Sequence, residues 1–363
     1  MNDATSDIFS LRGRRSTRCI NVGNVQVGGD SDITIQSMTT AITRDTLSTL
    51  KQIETLTDVG CEIIRVAVPK DADADALAEI VANSPIPVVA DVHFHSKFVY
   101  KAIDAGCGGV RVNPGNILHF ETEVPKICAT AKSAGVSLRI GVNAGSLDDS
   151  LRALYFESPA EALVESALRE AKMFEDNGFY DFKISVKHHD PIVTVKAYEM
   201  LAKQGDWPLH LGVTEAGLLF DGTIKGVSAI AILLSLGIGD TIRLSLTANP
   251  IEEIKLAKGL LQALRFRTKP VEIIACPTCG RCEIELIELA EKVENAIKDL
   301  KPSRPLKVAV MGCAVNGPGE AKEADLGLAG GKGRGILFAK GKVIKTVKEG
   351  DMLDELIKLI NQA

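Results

Sequence analysis

The sequence predicts an α/β fold, an N-terminal (β/α)8 TIM barrel followed by a smaller C-terminal α+β domain. Three observations carry that reading. Between residues 33 and 245 a short β-branched run, a polar turn and an amphipathic helical stretch recur eight times. Helical stretches such as Thr46–Val59, Ser96–Ala105 and Pro159–Asn177 are followed by a glycine, the residue that a helix C′ position favours. After residue 266 the alternation stops at a polar Arg-Thr-Lys-Pro stretch, and a different order of elements begins.

The eight runs are Ile33–Met38, Glu62–Val66, Pro87–Asp91, Gly109–Val112, Leu138–Gly141, Phe182–Ser185, Leu209–Gly212 and Thr241–Ser245. Strands alternating with helices imply parallel pairing, and eight units suit the roughly 250 residues of a closed barrel. A further stretch, Asn249–Phe266, reads as the closing helix. The second domain reads as strand Val271–Ala275, a cysteine turn, helix Glu283–Leu300, strand Leu306–Met311, a Gly-rich loop, two strands within Gly335–Lys348 and a last helix Met352–Ile360. The expected division is 1–266 for substrate binding and 267–363 for a metal or cluster site.

The chain has 363 residues, 45% apolar and 25% charged, an ordinary globular composition. Aromatic residues make up 4% and the net charge is −5, which speaks against a base-stacking platform and against a global field for nucleic acid or anionic membrane. The most apolar run, Val227–Ile238, is shorter than the roughly 20 residues that a membrane span needs. The first residues lack the apolar core of a secretory signal. Four of the eight cysteines are scattered singly and four lie near the C-terminus. The expectation is a cytoplasmic protein with a metal or cluster site rather than a disulfide scaffold.

In a parallel barrel the functional groups sit at the C-terminal ends of the strands. Here those ends carry Arg65, Asp91, His93, Arg111, Asn113, Arg139, Asn143, Lys183, Ser185, Lys187, Glu215, Arg243 and Ser245. One cation inside an apolar strand reads as a structural ion pair. Cations near the ends of five strands read as a shared site for a diphosphate-sized anion, because arginine offers a planar fork to phosphate oxygens. Asp91 and Glu215 either neutralise these cations or act as acid and base, and Glu215, in a Gly-bounded turn, is the better candidate. His93 reads first as a scaffold residue.

The C-terminal cysteines form Cys276-Pro-Thr-Cys279-Gly-Arg-Cys282 and a separate Gly-Cys313 loop that continues to Glu320. Each loop follows a β-run, so both are expected to leave one sheet edge. A structural zinc site would normally show a second C-x-x-C pair. An iron–sulfur cluster fits three thiolates from two loops better. Its fourth ligand is either Cys282 or Glu320.

These stretches, with Val22–Gly29, Gln36–Thr40 and Gly212–Gly217, closely resemble the 4-hydroxy-3-methylbut-2-enyl diphosphate synthase family of the non-mevalonate isoprenoid pathway, in its two-domain bacterial form. The resemblance implies a 4Fe-4S cluster held by Cys276, Cys279, Cys313 and Glu320, with Cys282 a non-ligand. It implies a two-electron reductive opening of 2-C-methyl-D-erythritol 2,4-cyclodiphosphate, with reduced flavodoxin or ferredoxin as donor. Arg65, Asp91, Arg111, Asn113, Arg139, Asn143, Lys183, Arg243 and Ser245 are then expected to bind the substrate, and Glu215 and Glu320 to be catalytic. A homodimer is expected, in which the barrel of one chain faces the cluster of the other.

Overall fold

The structure, a computed structural model, describes residues 13–113, 120–298, 300, 302–313 and 323–362. The chain divides into two compact units, Met1–Phe266 and Arg267–Ala363.

In the first unit the predicted alternation forms a barrel. Its strands are β3 (Thr34–Met38), β4 (Ile63–Val68), β5 (Val88–Val92), β6 (Gly109–Val112), β7 (Ser137–Asn143), β8 (Phe182–Lys187), β9 (His210–Leu211) and β10 (Thr241–Ile242). They pair in the order β8-β7-β6-β5-β4-β3-β10-β9, all parallel, and a bridge between Ile184 and Leu209 joins β8 to β9. Tracing the register around the ring from Asp91 returns to β5 eight residues nearer its N-terminal side, the shear of a closed eight-stranded TIM barrel. A row of laterally paired residues therefore descends the barrel by about one residue per strand.

The helices start where the sequence supplies caps. The Asp190 carboxylate accepts from the N–H groups of Ile192 and Val193 while Pro191 opens the helix Pro191–Ala202. Asn249 does the same for Ile251 ahead of Pro250–Ala263. Gly106 and Gly178 follow helix ends with φ of 79° and 65°, a conformation that a side chain resists.

Two features were not foreseen. An antiparallel hairpin, β1 (Cys19–Val22) and β2 (Val25–Gly28), packs Ile20, Val22 and Val27 on Ile63 and Val89, and the Gly23 N–H donates to the Gly108 carbonyl at 3.1 Å. It covers the N-terminal end of the barrel, opposite the expected site. β9 and β10 are also shorter than their sequence runs. Past Leu211, a side chain on Gly212 would collide with the Arg243 carbonyl and the Lys187 ammonium, so the chain gives way to those groups there.

The second unit is a five-stranded sheet in the order β11 (Val271–Ala275), β12 (Leu306–Met311), β13 (Leu326–Gly331), β14 (Arg334–Ala339) and β15 (Lys342–Lys348). β11, β12 and β13 are parallel, and β13, β14 and β15 antiparallel. Helices Leu286–Ile297 and Met352–Asn361 bury Leu286, Val293, Leu356 and Ile360 in the main core of this unit, together with Val308 and Leu328 of the sheet. β13 lies in what the sequence reads as a Gly-rich loop. Its Gly327 and Gly330 stand where a Cβ would strike Ala309, Phe338 or Ile284, so close packing selects glycine within a strand. The first helix begins at Leu286, not Glu283.

Phe174, fully buried on the helix Pro159–Asp176, meets Phe182 edge-on at 5.3 Å and Phe179 at 5.9 Å. Phe174→Ala should lower the unfolding free energy by about 3–5 kcal/mol in urea titrations. A loss under 1 kcal/mol would mean that this helix does not anchor the barrel wall.

Candidate active site

The register dictates which strand-end residues meet. Asp91, Arg111, Arg139 and Lys183 are laterally paired across β5, β6, β7 and β8, and so share the inner face. Because the row descends with the shear, Asp91 is highest and Lys183 deepest. Lys187, four residues further along β8, regains the level of Asp91.

At the top, Arg111 is held on several sides. Its Nη1 donates to Asp91 Oδ1 at 3.1 Å and lies 2.7 Å from His93 Nε2, and its Nη2 donates to the Gly141 carbonyl at 3.1 Å. An arginine only donates, so His93 Nε2 is the accepting nitrogen. Gly141 is required there, because a Cβ would occupy the space of the Arg111 guanidinium. Arg65 Nε lies 3.6 Å from Asp91 Oδ2, and its Nε and Nη2 also face the Met38 sulfur at 3.2 and 3.0 Å. Burial disfavours ionised Asp91, yet Arg65 and Arg111 hold its pKa well below the usual carboxylate range.

The other cations are poorly satisfied. Buried Arg139 donates to Ser185 Oγ at 2.6 Å, while its Nε and Nη2 have no partner among the described residues. Burial, with Arg65 and Arg111 nearby, pushes its pKa well down. Lys187 is likewise depressed by burial and then by Arg139, Arg243, Arg65 and Arg111, which marks it as a member of the same cluster. Arg243 is lowered to about 10 by burial and by Arg65, with Glu253 opposing. Glu253, buried on the helix Pro250–Ala263, lies 3.6 Å from Arg243 Nε, accepts from Ser37 Oγ at 3.2 Å and from the Leu246 N–H at 2.9 Å. Among the described residues five cations thus share the mouth with two carboxylates, an excess of positive charge that an anion of several negative charges would balance.

The structure brings Arg65, Asp91, Arg111, Arg139 and Arg243 together as expected. Asn113, buried, and Asn143 and Ser245, partly buried, stand at the ends of the same strands. Lys183 is different. Its charged neighbours are Arg139 and Asp240, and Asp240 lies at the N-terminal start of β10. Its Nζ is buried with no partner among the described residues. Two mouth residues escaped the sequence reading. Lys187 was noted on its strand but passed over for Lys183, and only the shear distinguishes them. Glu253 sits in an amphipathic helix with no local signal of function.

Glu215 is exposed and adopts φ 52°, a conformation that costs a residue with a side chain roughly 1 kcal/mol. It lies in the field of His188, whose pKa is lowered by burial and by His189 and supported by Asp190 and Glu215. His188 Nδ1 accepts from the Asp190 N–H at 2.9 Å, so its Nε2 carries the proton towards Tyr155 Oη at 2.9 Å.

In the second unit Ala275 pairs with Val310, so Cys276 and Cys313 leave one edge of the sheet, as expected. The Gly312 N–H points at Cys276 Sγ at 3.3 Å. Cys279 is exposed, its pKa lowered by the main-chain N–H and side chain of Arg281. Cys282 lies in the loop before Leu286, donates to the Ile284 carbonyl at 3.2 Å and packs on Gly312. Glu320 lies outside the described residues. Among the described residues no three His, Cys, Asp or Glu side chains converge as an ion cage. The donors that are described, soft thiols on one open edge with a main-chain N–H on one sulfur, fit an iron–sulfur cluster.

Comparison with known proteins agrees with both halves. The family described as GcpE TIM-barrel domain matches residues 17–258, and GcpE protein C-terminal domain matches 272–362. A Bifidobacterium longum protein named 4-hydroxy-3-methylbut-2-en-1-yl diphosphate synthase (flavodoxin) is 57% identical over 99% of this chain and 88% of its own length. One of the same name from Leifsonia xyli subsp. xyli is 58% identical over 96% of this chain and 91% of its own. Among solved structures, a dihydropteroate synthase from Stenotrophomonas maltophilia superimposes with a TM-score of 0.51 at 12% identity, over 69% of this chain and 97% of that one, which shows a shared barrel fold alone. Among the described residues no helix is long and apolar enough to cross a membrane.

The deep lysine makes stability depend on pH. Burial, then Arg139, pushes the Lys183 pKa down to about 7, against Asp240. An unfolded lysine titrates near ~10.4. Between these values the unfolded chain binds more protons, so stability rises with pH from 7 to 10. Lys183→Met removes that contribution. Urea titrations should show the unmodified chain gaining on the variant by at most ~1.4 kcal/mol per pH unit across this window. Parallel pH curves would mean that the ammonium is hydrated within the barrel.

Proposed function

The chain belongs to the GcpE family, and from that premise we propose that it reductively opens 2-C-methyl-D-erythritol 2,4-cyclodiphosphate to 4-hydroxy-3-methylbut-2-enyl diphosphate, consuming two electrons and two protons and releasing water. The observation that carries the reading is the joint presence of an anion-seeking barrel mouth and a thiol-bearing sheet edge in a chain 55–58% identical to synthases of that name.

Arg65, Arg111, Arg139 and Arg243, with Asn113, Asn143 and Ser245, would hold the diphosphate. Lys187 joins them from the same level, and Lys183 acts from below. Asp91 positions Arg65 and Arg111 rather than touching phosphate, since a carboxylate repels it. Fixing the diphosphate at this many points fixes the carbon skeleton attached to it. Glu215, exposed on its strained turn, would deliver the proton to the departing hydroxyl. Cys276, Cys279 and Cys313, with Glu320, would hold a 4Fe-4S cluster, which when bound supplies single electrons and Lewis acidity. The donor is flavodoxin, the carrier named in the relatives. We further propose a cytoplasmic homodimer with an active site shared between the barrel of one chain and the cluster domain of its partner.

Anaerobically purified chain should contain iron and sulfide in equal amounts and turn over with reduced flavodoxin. A colourless zinc protein without sulfide would sink the proposal. Glu215→Gln should lose about 10²–10⁴-fold in kcat at little change in KM and cluster content. A variant with kcat intact would assign the proton to another group.

Cys282→Ser should stay brown and active, because its thiol is engaged with the Ile284 carbonyl. Loss of iron and sulfide from that variant would make Cys282 a ligand in place of Glu320.

A further inference from the structure

The electron carrier must meet the second unit near its cysteines, and one surface there has the charge to receive it. Residues 332–348 hold six cations and no carboxylate, within a chain of net charge −5. They form the β14–β15 ribbon. Gly331 pairs with Arg334, and Arg334 with Lys348. β13 runs parallel to β12, with Met311 opposite Ala329. Extending that register places Cys313 level with Gly331. Lys332, Arg334 and Lys348 therefore stand on the sheet edge from which Cys276 and Cys313 project, one to three strands from Cys313, or roughly 5–15 Å, and one strand further from Cys276.

These three side chains are exposed and form no ion pair among the described residues. Lys345 differs, being paired with Glu355 at 2.5 Å, and Lys340 faces Asp325. Among the described residues three carboxylates share the rim: Glu283, Glu349 and Asp351. Glu283 is turned onto the Lys332 main-chain N–H at 3.2 Å. Lysines on an edge strand commonly block sheet extension, which accounts for Lys342 and Lys345 on β15 and would by itself also account for Lys348 at its end. It does not account for Arg334, since β14 lies inside the sheet, or for Lys332, which lies in the turn between β13 and β14. The helix Leu286–Ile297 carries Glu288, Glu291 and Glu294, so the unit is acidic on one element and basic on another. Such asymmetry orients an acidic partner during its approach.

Resting on the synthase reading above, we propose that Lys332, Arg334 and Lys348 form the docking surface for an acidic one-electron carrier protein, placing its redox group beside the cysteine edge. Each docking passes one electron and leaves the carrier oxidised by one electron, so two dockings serve each turnover.

The test uses the full cluster-loaded chain with Lys332→Glu, Arg334→Glu and Lys348→Glu combined. With reduced flavodoxin at low salt, the KM for flavodoxin should rise at least ~10-fold, kcat at saturating carrier should change less than ~2-fold, and the salt dependence of kcat/KM should flatten. Turnover driven by reduced methyl viologen should be unchanged. An unchanged flavodoxin KM at low salt overturns the docking surface. So does a ribbon that binds phosphatidylglycerol vesicles while flavodoxin kinetics stay as they were. Absence of viologen-driven turnover in the unmodified chain would strike the synthase reading instead, and direct titration with flavodoxin then decides the surface on binding alone.

Discussion

The Arg111–Asp91 pair is the contact from which the barrel mouth is built. It is buried and multiply hydrogen-bonded, and it ties β5 to β6 at the level where the site opens. Gly141 is glycine because this guanidinium fills its side-chain space. His93 is held as an acceptor by the same group. Asp91 then balances Arg65 as well, so one carboxylate serves two arginines. Removing it would leave buried guanidiniums facing one another without compensation, the costly case for buried charge. Of the remaining cations Arg243 has Glu253 beside it, while Arg139 and Lys187 have no ion pair among the described residues. Burial first, and then repulsion within the cluster, depresses the pKa values of Arg139 and Lys187, which expresses that cost.

The second unit solves a different problem with the same device. Parallel strands place their C-terminal ends side by side, so two loops far apart in sequence can offer ligands to one point. In the barrel the device gathers guanidiniums, and in the sheet it gathers thiols. The thiol edge also needs no closed cage from the fold. Cys279 is exposed and Cys276 half-buried, an arrangement open enough for a cluster to complete.

Much of this was legible in the sequence, and the failures have physical causes. Gly109–Val112, Val271–Ala275 and Leu306–Met311 match their strands residue for residue, because β-branched runs bounded by turns suit buried parallel strands. β13 was unreadable, since its glycines answer to Ile284, Ala309 and Phe338 from elsewhere in the chain. The helix boundary near Cys282 was misplaced because Glu283 and Glu285 resemble a helix start, while the loop is held by its own contacts to Gly312. The cations at the strand ends were visible as residue types. Their heights were not. Lys183 and Lys187 occupy the same strand and face, and the choice between them depends on a shear that is a property of the closed ring.

That shear also explains why the barrel tolerates so much positive charge. It spreads the cations over several levels, from Lys183 near Asp240 up to Lys187 and Arg111, so they do not crowd one plane. Their repulsion is divided, but their unmet donors point towards one lumen. Arg139 Nε and Nη2 and Lys183 Nζ lack partners among the described residues. Buried donors of this kind are rarely left without one. A bound diphosphate would therefore act as the missing structural element of the mouth as much as its cargo. On the proposed function the energy stored in the unsatisfied cations would be released on binding, and the same charges that weaken the empty barrel would bind and orient the substrate.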